Sequence, residues 1–175
     1  MLRAFCIFIE IRKNAKDTIL MKLITKIRML ILFFMIALIV SGATAMPAET
    51  GLHWLMQYKD MMPDSMGNWL QTCYAALVDT NAKYPFLAYG YDWLAFAHFV
   101  IALSFIGPYR DPVKNSWIID WQIMCCVAVF PLALIAGPIR QIPIFHIVID
   151  CCFGLFGIIP LVICRRWIKK LEATS

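Results

Sequence analysis

The chain has 175 residues, of which 62% are hydrophobic and 15% charged, with a net charge of +5. Soluble domains carry about 45–50% apolar and about 25% charged residues; here the apolar excess lies in blocks, which points to lipid and excludes a large soluble core. The positive charge does not imply nucleic acid, because the basic residues flank the apolar blocks instead of forming one patch or stripe.

Residues 1–28 read as an irregular, basic, cytoplasmic N-terminus carrying Arg3, Arg12, Lys13, Lys16, Lys22, Lys26 and Arg28. Met21 is a second plausible start. From there the chain runs MKLITKIR, then MLILFFMIALIV, then SGATA. That is a charged region, an apolar region of about 12 residues and a small-residue A-x-A ending at Ala45, the pattern of a signal peptide. Residues 29–45 therefore have two readings: a signal peptide cut after Ala45, or an uncleaved anchor. The anchor would have about 17 residues, the lower limit for a span.

Residues 46–91 are polar enough to stay outside lipid and form an expected extracytoplasmic amphipathic helical segment. A short helix is expected over residues 52–61. A second starts at Asp64, expected as its cap. Trp69, Leu70, Cys73, Tyr74, Leu77 and Val78 then recur with a period near 3.6, as one apolar stripe, and Asn81 and Pro85 are expected to stop it. The aromatic residues of this segment suit a membrane interface.

Residues 92–166 form the expected three-helix membrane domain, and 167–175 a cytoplasmic tail. The first span begins at Asp92 and ends at Gly107-Pro108. The second runs from Trp117 to Gly137-Pro138, and the third from Ile144 to Cys164, closed by Arg165, Arg166, Lys169 and Lys170. Each block is near the roughly 20 residues needed to cross. The two Gly-Pro pairs are expected helix stops, since proline lacks an N–H and disfavours helical geometry before it. Short connections make neighbouring spans antiparallel. With the N-terminus inside, thirteen Lys and Arg residues lie inside and three, Lys59, Lys83 and Arg140, lie outside, which puts the C-terminus in the cytoplasm. The expected fold class is thus an all-α integral membrane protein. It has three transmembrane helices, a signal peptide or fourth helix before them, and an amphipathic helical cap on the outer side. The signal pattern and the Lys/Arg bias fit a multi-pass protein of a bacterial inner membrane.

Ionisable groups inside a bilayer are costly and face the protein interior or a cavity. His98, His146 and Asp150 are such groups, with Gln122 as a neutral companion of Asp120. At 1.5 Å per residue His98 lies about 9 Å below Asp92, and Asp150 about 10 Å below Pro143, on helices that both run inward. His146 and Asp150 share one helix face, and Arg140 sits just above. These four residues form the expected intramembrane polar cluster. It is either a structural network that fixes helix packing or a functional site. His98, His146 and Asp150 are candidate ligands for zinc or iron, and the two histidines for haem. Asp120 is expected to pair with Arg110 or Lys114. Gly154 and Gly157, with Cys151 and Cys152, make a small-residue face for close helix contact.

The seven cysteines, Cys6, Cys73, Cys125, Cys126, Cys151, Cys152 and Cys164, show no CxxC or zinc spacing and read as small apolar packing residues. No nucleotide loop, Rossmann fingerprint or nucleophile elbow occurs. The runs YPFLAYGYDWLAFAHFVIAL, FIGPYRDPVKN, FPLALIAGPIR and IPLVIC together resemble small bacterial membrane proteins of undescribed activity, and the resemblance implies no function. Three function classes stand. The first is a non-catalytic accessory or assembly subunit, touching lipid and a protein partner or a second copy through the 46–91 cap or the Gly154–Gly157 face. The second is a metal- or haem-binding redox or enzyme component. The third is a subunit of an oligomeric transporter or channel.

Overall fold

The apolar runs fold as long helices because a helix satisfies its backbone groups within one segment, and Pro131, Pro138 and Pro160 lie inside these helices without ending them. The computed structural model describes residues 2–174, with side chains at 12–14 and 16–174. The helices are α1 (Leu2–Ala45), α2 (Ala48–Met56), α3 (Asp64–Lys83), α4 (Ala88–Ser104), α5 (Ile106–Arg110), α6 (Ser116–Ile139) and α7 (Ile144–Glu172). Single 3₁₀ turns lie at Lys59–Met61 and Pro85–Leu87, and no strand occurs among the described residues. Four of these stretches are long and apolar enough to cross a membrane: Arg12–Ala45, Pro85–Arg110, Ser116–Ile139 and Ile144–Glu172. Large apolar side chains such as Ile139, Ile144, Phe153 and Phe156 are exposed, and α6 carries a single charged residue, Asp120. A helix that is apolar on all sides belongs in a large core or in lipid.

The chain divides into two units, residues 1–33 with 105–175, and residues 34–104. The first unit is built on the antiparallel hairpin of α6 and α7. Close approach is made by glycine. A Cβ at Gly137 would lie 2.6 Å from Ile147 Cδ1, and one at Gly154 would lie 2.8 Å from the Cys126 carbonyl oxygen. The turn is a Schellman motif: the Ile142 N–H donates to the Gly137 carbonyl at 2.9 Å and the Gln141 N–H to the Pro138 carbonyl at 3.1 Å, with Gln141 left-handed at φ 57°. That motif, rather than the proline, terminates α6 by satisfying its last carbonyls. The N-terminal part of α1 belongs to this unit. Arg28 Nε donates to the Tyr109 carbonyl at 3.0 Å and Nη2 to the Arg110 carbonyl at 3.3 Å, so its guanidinium satisfies carbonyls that the end of α5 leaves open.

The second unit contains the C-terminal part of α1, then α2, α3 and α4. In the α2–α3 hairpin, Asn81 Nδ2 donates to Glu49 Oε2 at 2.7 Å, His53 Nδ1 lies 3.1 Å from the Tyr74 hydroxyl, and Lys59 Nζ donates to Gln71 Oε1. The stripe Trp69, Leu70, Cys73, Tyr74, Leu77 and Val78 is the less exposed face of α3, whereas Asn68, Gln71, Thr72, Ala75, Ala76 and Asp79 are exposed. Gly42 lets α1 meet α4: a Cβ there would stand 2.7 Å from the Ala95 carbonyl oxygen and 3.1 Å from His98 Cβ.

Several local expectations are corrected. Residues 2–28 are helical, continuous with α1; the alternation of basic and apolar residues contains no breaker. Pro63, not Asp64, is the N-cap of α3, and Asp64 makes no side-chain capping bond. Asn81 lies inside α3, held by Glu49, and the helix runs on to Lys83. The helix expected over residues 52–61 ends at Met56 and begins at Ala48. The first Gly-Pro pair lies inside α5, and the break falls earlier, at Phe105, because Pro108 has no N–H for the carbonyl four residues back. Gly137-Pro138 likewise lies within α6. Finally, α7 passes Cys164 without interruption to Glu172.

Candidate functional site

One ion pair of the first unit joins α6 to α7. Arg165 Nε lies 2.8 and 3.0 Å from the two oxygens of Asp120, one N–H shared between both. Arg165 Nη1 lies 3.7 Å from Glu172 Oε1. The Arg165 side chain is 21% exposed and that of Asp120 48%, so the pair is partly screened by protein. The expected partners of Asp120, Arg110 and Lys114, are replaced by Arg165. Arg165 comes from the neighbouring helix at the same level, and its Nε reaches both carboxylate oxygens at 2.8 and 3.0 Å. Two residues along α6, Gln122 is the buried polar side chain of the described core.

On α7, His146 Nε2 and Asp150 Oδ1 are 3.9 Å apart, the same-face relation expected from their spacing but longer than a hydrogen bond. Both side chains are 43% exposed. Arg140 is the exposed C-cap of α6, its N–H donating to the Ala136 carbonyl at 2.9 Å and the Gly137 carbonyl at 3.1 Å. In the second unit, His98 on α4 is half-buried, and its Nδ1 lies 2.8 Å from the Leu94 carbonyl oxygen. A carbonyl only accepts, which puts the proton on Nδ1. Within either unit, no three described His, Cys, Asp or Glu side chains group so as to hold a metal ion.

Gly154 and Gly157 are engaged inside the chain. Gly154 is buried against Cys126 and Phe130, and a Cβ at Gly157 would lie 2.8 Å from Cys126 Sγ. Three residues that sequence reasoning passed over prove to matter: Arg165, Arg28 and Gly42. The one sequence signal for Arg165 is its level. Asp120 and Arg165 lie about 30 Å from the α6–α7 turn on their respective helices at 1.5 Å per residue. Outside the spans, burial pushes the Cys73 thiol above its ordinary value of 9.0.

No protein-family model matches the sequence, and no curated protein or solved structure is significantly similar to it.

Proposed function

We propose that the chain is a non-catalytic accessory or assembly subunit of a bacterial inner membrane, with α1 retained as a fourth span and the C-terminus cytoplasmic. The observation that carries this reading is the use of the polar side chains. Asp120 and Arg165 tie α6 to α7, Glu49 and Asn81 tie α2 to α3, and Arg28 ties α1 to the end of α5. Groups committed to holding one helix against another are structural first. Retention of α1 is supported by Ile27 and Ile31, which are 0% and 1% exposed, since a segment destined for removal has no need of such burial. The orientation rests on the distribution of Lys and Arg.

The partner surface is the α2–α3 cap, where Trp54, Leu55, Tyr58 and Met61 are exposed and Trp54 and Tyr58 stack edge to face at 5.1 Å. Exposed aromatic and methionine clusters of this kind fit protein partners. Two measurements test the reading. A photo-reactive phenylalanine at Trp54, activated in native membranes, should yield one discrete cross-linked species. Alkaline phosphatase fused after Ile139 should be active, and after Ser175 inactive. Absence of any adduct from Trp54 and Met61, or the reverse fusion pattern, defeats the proposal. Metal analysis and a search for a haem Soret band on the purified protein separate it from a redox component built on His98, His146 and Asp150: stoichiometric metal or haem would favour the latter.

A further inference from the structure

We infer that the basic end of α7, together with α1, forms a binding site for one anionic phospholipid. This rests on the membrane reading above with α1 retained. Two clefts in the first unit adjoin at Trp167. One, of about 530 Å³, is lined by Ile163, Arg166, Trp167, Lys169 and Lys170. The other, of about 420 Å³, is lined by Thr25, Lys26, Met29, Leu30, Phe33 and Trp167. The α7 lining residues 163, 166, 167 and 170 and the α1 lining residues 26, 29, 30 and 33 each follow i, i+3, i+4, i+7, so each set forms a single helix face.

The chemistry along each face is ordered. Ile163 on α7, and Met29, Leu30 and Phe33 on α1, lie on the apolar side. Lys26 lies on the N-terminal side of that α1 face, and Arg166, Lys169 and Lys170 lie toward the basic C-terminal end of α7. An amphiphile with acyl chains and a phosphate-bearing headgroup matches that order. Trp167 between the clefts has the amphipathic ring that sits at headgroup level. Arg165, the remaining cation at this end of α7, is turned inward to Asp120, so the cations that line the clefts are the ones left facing outward. No carboxylate lines either cleft. The charge therefore selects a headgroup with net negative charge over a zwitterionic one, as basic pockets between spanning helices do on the cytoplasmic side.

The test is native mass spectrometry of the full chain released from micelles doped with equal amounts of phosphatidylglycerol and phosphatidylethanolamine. The bare-chain mass reports whether α1 is present, and the adduct mass reports the lipid. Phosphatidylglycerol should be retained preferentially. A Lys or Arg near an anionic surface contributes roughly fivefold in affinity, so K169Q/K170Q should lower retention by roughly 25-fold, while K83Q, on the second unit, should leave it unchanged. Lys26→Gln should weaken retention roughly fivefold by itself, which ties the site to α1. Equal retention of the two lipids, or the same preference in K169Q/K170Q as in K83Q, overturns the site. A chain that begins at Met46 overturns both the site and the retention of α1; a full-length chain with no lipid preference overturns the site alone.

Discussion

Replacing Gly154 by alanine is the sharpest probe of the α6–α7 hairpin. The new Cβ would lie 2.8 Å from the Cys126 carbonyl oxygen and 3.2 and 3.4 Å from two atoms of the Phe130 ring. The nearest obstacle is main chain, about 0.6 Å inside ordinary contact, so no rotamer change relieves it and the helices must separate. Overpacking of this kind costs about 1–3 kcal/mol. Alanine returns about 0.8–1 kcal/mol of helix propensity, leaving a net loss of roughly 0–2 kcal/mol. For a chain of this size that lowers the melting temperature by up to about 8 °C, measured by tryptophan fluorescence in detergent. Trimming Phe130 to leucine should not restore stability, because the ring is not the first obstacle. At Gly157 the obstacle is the Cys126 thiol, at 2.8 Å, with Cys126 Cβ at 3.8 Å, so Gly157→Ala should be rescued by Cys126→Ala. Gly51→Ala, with nothing within 4 Å of the new Cβ, serves as the control and should stabilise by about 0.5–1 kcal/mol. A Gly154→Ala protein that melts above the wild type, as the Gly51→Ala control should, would refute the close approach of the two helices.

Three further outcomes are expected. Asp120→Asn should destabilise by about 1–3 kcal/mol, between the values for exposed and buried pairs, whereas Glu172→Gln, at 3.7 Å from Arg165, should change the detergent melting midpoint by less than about 0.5 kcal/mol; equal effects of the two would mean Arg165 does not favour Asp120. Gln141 holds φ 57°, a left-handed conformation that costs an L-residue about 1–2 kcal/mol, so Gln141→Gly should stabilise by about 1 kcal/mol after its greater unfolded-state entropy is counted, and a destabilised Gln141→Gly would contradict the Schellman turn. Because burial raises the Cys73 thiol above 9.0, its maleimide labelling at neutral pH should be slower than in the unfolded chain; the folded pKa being the higher, its contribution to stability is complete below pH 9.0 and is lost as pH rises through the folded value, and labelling as fast as in the unfolded chain would contradict that burial.

Periodicity and apolar block length were enough to place α6, the start of α7 and the stripe of α3, because these depend on which residues repeat along a helix and not on what they touch. The stripe from Trp69 to Val78 is the inward face of α3 for that reason. Helix ends were harder to read. Gly107-Pro108 and Gly137-Pro138 look like stops in one dimension, yet the first breaks the ladder at Phe105 and the second sits inside α6, whose end is set by the left-handed Gln141. Pairings between elements belonged to the tertiary structure. Sequence distance and charge offered Asp120 two cations, Arg110 and Lys114, and the antiparallel packing of α6 on α7 put Arg165 within 2.8 Å instead. Arg28 read as one more positive charge on an N-terminal segment, and became a helix cap once α1 lay beside the end of α5. Sequence alone set where the chain is apolar and which faces repeat, since both are local properties. Which polar group meets which is decided by helix level and rotation, and those exist only when the helices are packed.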